Sequence, residues 1–410
     1  MKLTKMIFLI SWLFSPIAYS SVDFENSIHQ YYQHVPQDSF TSLKSVIESG
    51  KSSTDRYSNR ASMLSYLLKE FKISYLSQVL VFSNTSLQLS KISPKSPRAI
   101  FFSDDLYLGY VPNGQIEVIG IDPKIGAIPY IFRLPNPEDA DFPPIYRSRR
   151  CMKCHASEKT EFVPGLLLGS VITMNGGGTL DVLNHGKPGH QLPYNLRFGG
   201  WYINHASIFG ENWANALGFL EKNELQQINL NLNPRTTDHL THFSDPIAHL
   251  VLEHQIGFIN LCIKMQYQFR EAYKSTQSEK ESMIDQWTDE FLDYVLFLNE
   301  PKLPNPFKLS FSPFAQHFQK LEVNSSTNDL LRNFDLNQRL FRFRCSYMIN
   351  GKVCSGLPVE IKSVFYKKLS RVLTQNSRNK YPHLEPQECQ TIDLFLSSVN
   401  QDYQKQKRRL

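Results

Sequence analysis

Residues 79–134 decide the fold. They hold five short apolar runs: VLVF (79–82), AIFF (99–102), LYLGYV (106–111), IEVIGI (116–121) and IPYIF (128–132). Ser93-Pro94, Asp104-Asp105 and Pro112-Asn113-Gly114 separate them. Runs of this length, rich in Val, Ile, Tyr and Phe and bounded by turn residues, read as antiparallel strands. Leu106–Val111 and Ile116–Ile121 read as a hairpin across the Pro-Asn-Gly turn. This block is the expected small antiparallel sheet.

On its N-terminal side, residues 21–78 are polar, and Met63, Leu64, Leu67, Leu68 and Phe71 recur at helical spacing. On its other side, residues 135–245 are rich in Gly, Pro, Asn and His with few periodic stretches. An unstructured segment of that length inside a compact chain usually serves a function, and wrapping a cofactor would order it. Ser244-Asp245-Pro246 then starts a helix running to about Tyr273, by cap and first-turn chemistry. A second helix is expected over about 279–299, closing a 135–300 block. Pro301, Pro304, Pro306 and Pro313 mark a crossing. Residues 301–410 are expected to be helical, near 327–340, 358–375 and 386–400. The expected fold class is therefore α+β: a small antiparallel sheet, an irregular segment, and a helical C-terminal half that shares its core.

The chain has 410 residues, 41% of them apolar and 20% charged, which excludes disorder over the whole length. Its net charge of +6 is a poor basis for binding nucleic acid, and none is expected as a partner. Residues 1–20 read as a secretory signal peptide: Lys2 and Lys5, an apolar run Met6–Phe14, and small residues at Ala18 and Ser20. The run falls short of the roughly 20 apolar residues needed to span a bilayer, and no membrane span is expected after cleavage. The expected location is the bacterial periplasm or the exterior.

Residues 151–155 read Cys-Met-Lys-Cys-His, and C-x-x-C-H is the attachment signature of c-type haem. The spacing has a chemical reason. Two thiols on one turn of chain reach two vinyl groups on one edge of the macrocycle, and the next residue falls beneath the iron. Cys151 and Cys154 are thus the expected tethers of one covalent haem c, with His155 as the proximal axial ligand. A redox Cys pair or half of a zinc site would need a strand–helix context or two further ligands at knuckle spacing; neither is present. One of Arg147, Arg149 and Arg150 either pairs with a haem propionate or faces an acidic redox partner, or the three form a solvated basic turn.

The sixth iron ligand has three main candidates. His254 lies on a helix stripe with Ile247, Leu250, Phe258, Leu261 and Met265, where an imidazole needs a partner. His190 lies in the loop Lys187–Pro193, and Met174 ends the apolar run Leu166–Met174. His185 and His205 are further options. His239, His242 and His249, near the helix start, are read as capping or solvated residues rather than a metal site. Cys345 and Cys354 flank a turn and could form a local disulfide in an oxidising compartment. Cys262 is expected as a buried thiol.

Several stretches resemble a known family: LVFSNTSLQLSKISPKSPRAIFFSDDLYLGY (80–110), RCMKCHAS (150–157), VPGLLLGSV (163–171), FGGWY (198–202) and SDPIAHLVLEHQ (244–255). The chain is similar to secreted bacterial proteins with a single c-type haem motif, cytochrome c domain-containing proteins, over about residues 25–400. The resemblance implies haem binding through Cys151, Cys154 and His155, favours His190 and His254 as functional positions, and implies no particular reaction. In one place the chain departs from it. The family's Trp-Tyr segment runs on to His-Met-Gly-Asn, whereas Asn204–Asn215 here has no such pair.

The leading expectation is a periplasmic monohaem c-type cytochrome that passes single electrons to a redox partner protein, a carrier more than an enzyme. The alternatives are a haem enzyme with an open distal site acting on peroxide or a small oxide, and a haem-based redox sensor or binding module.

Overall fold

The runs at 79–134 form a ladder of Val79–Val81 (β1), Arg98–Phe102 (β2), Leu106–Tyr110 (β3), Gln115–Asp122 (β4) and Gly126–Arg133 (β5). The computed structural model describes residues 22–48, 59–135, 142–230, 238–324, 327–375 and 379–409; the leader expected at 1–20 lies outside them. The irregular segment adds Tyr146–Arg147 (β6), Val171–Thr173 (β7), Thr179–Val182 (β8) and Trp201–Tyr202 (β9). β6 pairs with β5 and β9 with β1, so the sheet has seven strands in the order β6-β5-β4-β3-β2-β1-β9, every pairing antiparallel. The expected hairpin is present, with Leu108 opposite Val118. Its turn puts Asn113 at a φ of 56°, a left-handed conformation that Asn tolerates.

Both faces of this sheet are covered. Leu80, Ala99, Phe101, Leu106, Leu108, Ile116 and Val118 point to one side and join a core with Met63, Leu64, Leu67 and Leu68. Those last four lie on Arg60–Glu70 (α2), which follows Ser39–Glu48 (α1). Val79, Val81, Phe102, Tyr107 and Ile121 point the other way, into the larger core. Alternate residues of a strand face opposite sides, so two covered faces bury β3 at every position.

The larger core is organised by a helix over Pro246–Glu271, which follows the single turn Met152–His155 (α3) and is here α4. Asp245 caps it, accepting from the N–H groups of Ile247 and Ala248 at 2.9 and 3.1 Å. By length and composition α4 is apolar enough to cross a membrane, but 89% of its apolar window is buried inside the protein, as in a core helix. Gln277–Val295 (α5), Pro313–Phe318 (α6), Lys352–Ser355 (α7), Val359–Thr374 (α8), Pro386–Val399 (α9) and Gln401–Lys407 (α10) complete an α+β fold. A hairpin of Ala216–Glu221 (β10) and Glu224–Asn229 (β11) stands on its own, and β7 pairs only with β8.

Three expectations need correction. Residues 327–340 form no α-helix, only a 3-10 turn at Leu330–Arg332. Asp329 accepts from the Leu331 N–H and Asp335 from those of Asn337 and Gln338, and such local bonds compete with helical ones. Leu336, at a φ of 58°, breaks any helical run there. The second helix stops at Val295 rather than 299, because Phe297 and Asn299 take positive φ. Cys345 and Cys354 are free buried thiols, not a disulfide, and Cys262 is buried as expected.

Candidate haem site

The C-x-x-C-H motif occupies a tight turn: a 3-10 turn at Arg149–Cys151 runs directly into α3. Cys154 is exposed and Cys151 partly buried, its Sγ–H donating to Ser148 Oγ at 3.2 Å. His155 is the informative residue. Its Nδ1 is 3.0 Å from the carbonyl oxygen of Gly165, and the Gly165 N–H donates back to the His155 carbonyl at 2.8 Å. Burial holds the imidazole below its ordinary value, against the opposing pull of the Gly165 bond, so the ring is neutral. Nδ1–H then donates to Gly165 and Nε2 keeps a lone pair with no protein partner. This is how a metal-binding imidazole is usually oriented.

The Gly165 carbonyl is itself held in place. On α4, the Asn260 side chain accepts from the Leu166 N–H at 2.8 Å and donates to the Leu166 carbonyl at 2.9 Å. Gly165 allows the approach, because a Cβ there would come within 2.6 Å of Asn260 Oδ1. The core helix thus fixes residues 165–166, and they fix the His155 ring.

Cys154 and His155 open onto a cavity of about 510 Å³. One wall is the sheet face carrying Arg98 and Ile100 of β2, Tyr107 and Gly109 of β3, and Glu117 and Ile119 of β4. Gly109 lies opposite Ile100 and Glu117 and leaves the middle of that wall flat. The other walls are Leu166–Gly169, Val171, Trp201, and Leu252 and Ile256 of α4. One polar corner interrupts these surfaces: Arg98 Nη1 pairs with Glu117 Oε2 at 2.9 Å. Burial pushes the Glu117 carboxyl up; Arg98 and hydrogen bonds from Gln88 and Ser86 reverse this and hold it below the usual range. Arg98 Nε is buried without a partner, a spare donor on a residue that lines the cavity.

These residues fit a covalent haem: the Cys154 thiol at the cavity edge with Cys151 one turn before it, an oriented neutral imidazole, a largely apolar cavity of the right order of size, and an Arg98 corner for a propionate. Arg147, Arg149 and Arg150 do not line the cavity. Arg147 donates to the Tyr31 carbonyl and stacks on Tyr31, Arg149 stacks on Tyr32, and Arg150 is exposed.

None of the three distal candidates lines the cavity. His254 Nδ1 is 2.9 Å from His190 Nδ1, and His254 Nε2 is 2.8 Å from Ser346 Oγ. Both rings pack on Tyr294 and Phe297. Leu252 and Ile256 lie two positions either side of His254, about 160° around the helix, so His254 points away from the cavity. Met174 ends β7's turn with 42% of its surface exposed. His205 stacks on Phe311, and His185 is exposed on the cavity rim between Asn184 and Gly186. Among the described residues no three His, Cys, Asp or Glu side chains converge on a metal-sized point.

Asn260 and Arg98 escaped sequence reading, and His249, read there as a capping or solvated residue, is instead buried inside α4. His249, Leu252, Ile256 and Asn260 follow helical spacing and share the α4 face turned toward the cavity. His249 is 1% exposed, meets Trp201 and Phe198 edge to face, and neither ring nitrogen has a partner. Burial, with Arg197 adding to it, lowers its pKa to about 3. Unfolding therefore lets it take up a proton at any pH between about 3 and 6.5, and stability falls as pH drops through that window. His249→Leu removes the effect. Its advantage over the parent grows by about 1.4 kcal/mol per pH unit below 6.5, reaching about 2 kcal/mol at pH 5. Urea midpoints across pH 5–8 test this, and a pH-independent difference would refute it.

No protein-family model, no curated protein and no solved structure matches this chain.

Proposed function

We propose that this chain is a periplasmic or secreted monohaem c-type cytochrome that passes single electrons between redox partner proteins. The observation that carries the reading is His155, a neutral imidazole pinned at Nδ1 by Gly165 with Nε2 free beside two thiols and an apolar cavity. Haem c would supply an iron that cycles between two oxidation states differing by one electron.

The chain's own residues do the rest. Cys151 and Cys154 hold the group covalently, so it is not lost outside the cell. Gly165 and Asn260 keep His155 in one orientation. Ile100, Leu252, Ile256 and Trp201 give the site apolar walls. Exposed Cys154 puts one edge of the site at the protein surface, where a partner can approach closely. Arg98 accepts a negative group at the buried corner.

The test uses full-length chain exported in a host that attaches haem c. A pyridine haemochrome of the two-thioether type and a potentiometric titration fitting one electron are expected. A chain exported without haem, or with haem that does not cycle reversibly, would sink the reading.

A further inference from the structure

We propose that the chain supplies one axial ligand, His155, and leaves the opposite side of the iron to a small neutral molecule of the diatomic class, such as carbon monoxide or nitric oxide. This rests on the haem reading above and concerns which residues meet the second face of the group.

All 12 His, and every Met from Met63 on, fall within the described residues, and among them only His155 lines the cavity. The conclusion is therefore independent of which wall faces the free side of the iron. His185 is exposed at the rim, and the imidazoles and thioethers named next lie away from the cavity. His190 and His254 bond to each other across the far side of α4. His249 stands behind Trp201, and the Trp201 indole is anchored by its N–H to the Gly169 carbonyl at 2.8 Å. Met152 accepts from the Tyr31 hydroxyl.

Three other lining groups could be thought to ligate. Tyr107 donates its hydroxyl to Gln255 Oε1 at 3.2 Å, and burial drives its phenol well above the ordinary value, so it stays protonated. Lys153 and Lys159 reach the rim as exposed side chains, and an ammonium offers donors but no lone pair.

Neutrality of the ligand follows from the walls. They are apolar over most of their extent; Arg98 is paired with Glu117 and is the corner offered to a propionate, and Lys153 and Lys159 lie exposed at the rim. An anion on the iron would lose its hydration without a buried counter-charge left to meet it, whereas an uncharged diatomic loses little.

The experiment is spectroscopic, on full-length protein carrying covalent haem. A high-spin ferric spectrum is expected. The reduced protein should bind carbon monoxide one-to-one with a saturable shift of the Soret band, and His185→Ala and His249→Leu should leave both spectra unchanged. A low-spin ferric spectrum with no response to carbon monoxide would overturn the proposal. A low-spin spectrum that turns high-spin in His185→Ala or His249→Leu would overturn it too, and would place the sixth ligand on that residue. In either case the haemochrome stays intact and electron transfer still stands. Absence of covalent haem instead overturns the parent reading, and this proposal with it.

Discussion

Replacing Cys151 and Cys154 together with serine should yield exported, folded protein with no covalently bound haem. Serine hydroxyls do not add to vinyl groups under conditions where thiols do, so both tethers are lost at once. Folding should survive because neither thiol carries the core. Cys154 is exposed, and Cys151 makes one weak hydrogen bond to Ser148 that a hydroxyl can also make. A stability change within about 1 kcal/mol is expected for such sites. The contrast lies in the other four cysteines. Cys262, Cys345, Cys354 and Cys389 are buried, stand in no disulfide and lie away from the cavity, and their serine variants should keep full covalent haem whatever they do to stability. In-gel haem staining after denaturation, with circular dichroism of the same preparations, separates the two effects. Covalent haem persisting in the double variant would refute the assignment of the tethers.

The sheet was legible in the sequence because its strands have a local signature, and the proposed tethers rest on a signature of the same local kind. β2 to β5 are apolar runs between turn residues, and C-x-x-C-H fixes its chemistry within five residues. β6 and β9 are two residues each, too short for any period, and only pairing with β5 and β1 defines them. The distal candidates lie off the cavity for a different reason. α4 is buried nearly all round, so its hydrophobic pattern does not single out one face. The stripe through His254 reads as well as the stripe through Leu252 and Ile256, yet only the second faces the cavity. Asn260 left no signal either. Its value comes from Leu166, 94 residues away, whose backbone it clamps. In physical terms, covalent attachment is a local property of the chain, while the shape of the cavity is a property of packing between distant segments.

Arg197→Met should be the most damaging single substitution near the site, costing about 3–5 kcal/mol. Arg197 is 2% exposed and joins the loop after His190 to α4. Nη1 pairs with Glu253 Oε2 at 2.9 Å, Nη2 donates to the His190 carbonyl at 2.7 Å, and Nε donates to the Leu192 carbonyl at 2.9 Å. The guanidinium also stacks on Tyr194. Methionine fills much of the volume but leaves two carbonyls and a buried carboxyl unpaired. Even with Arg197 present, burial outweighs the guanidinium and raises Glu253 to about 7. A carboxyl with a raised folded-state pKa binds protons that the unfolded chain has released, so its contribution to stability is lost as pH rises from about 4.5 through 7. Without Arg197 the upward pull is unopposed. The deficit of Arg197→Met should therefore be larger at pH 8 than at pH 5, where Glu253 is protonated. Adding Glu253→Gln removes the stranded charge, and the double variant should recover a large part of the loss at pH 8 and little at pH 5. Urea midpoints for the parent, both single variants and the double variant at the two pH values complete the cycle. A deficit below about 1 kcal/mol, or no recovery at pH 8, would show that the pair does not hold the loop to the helix.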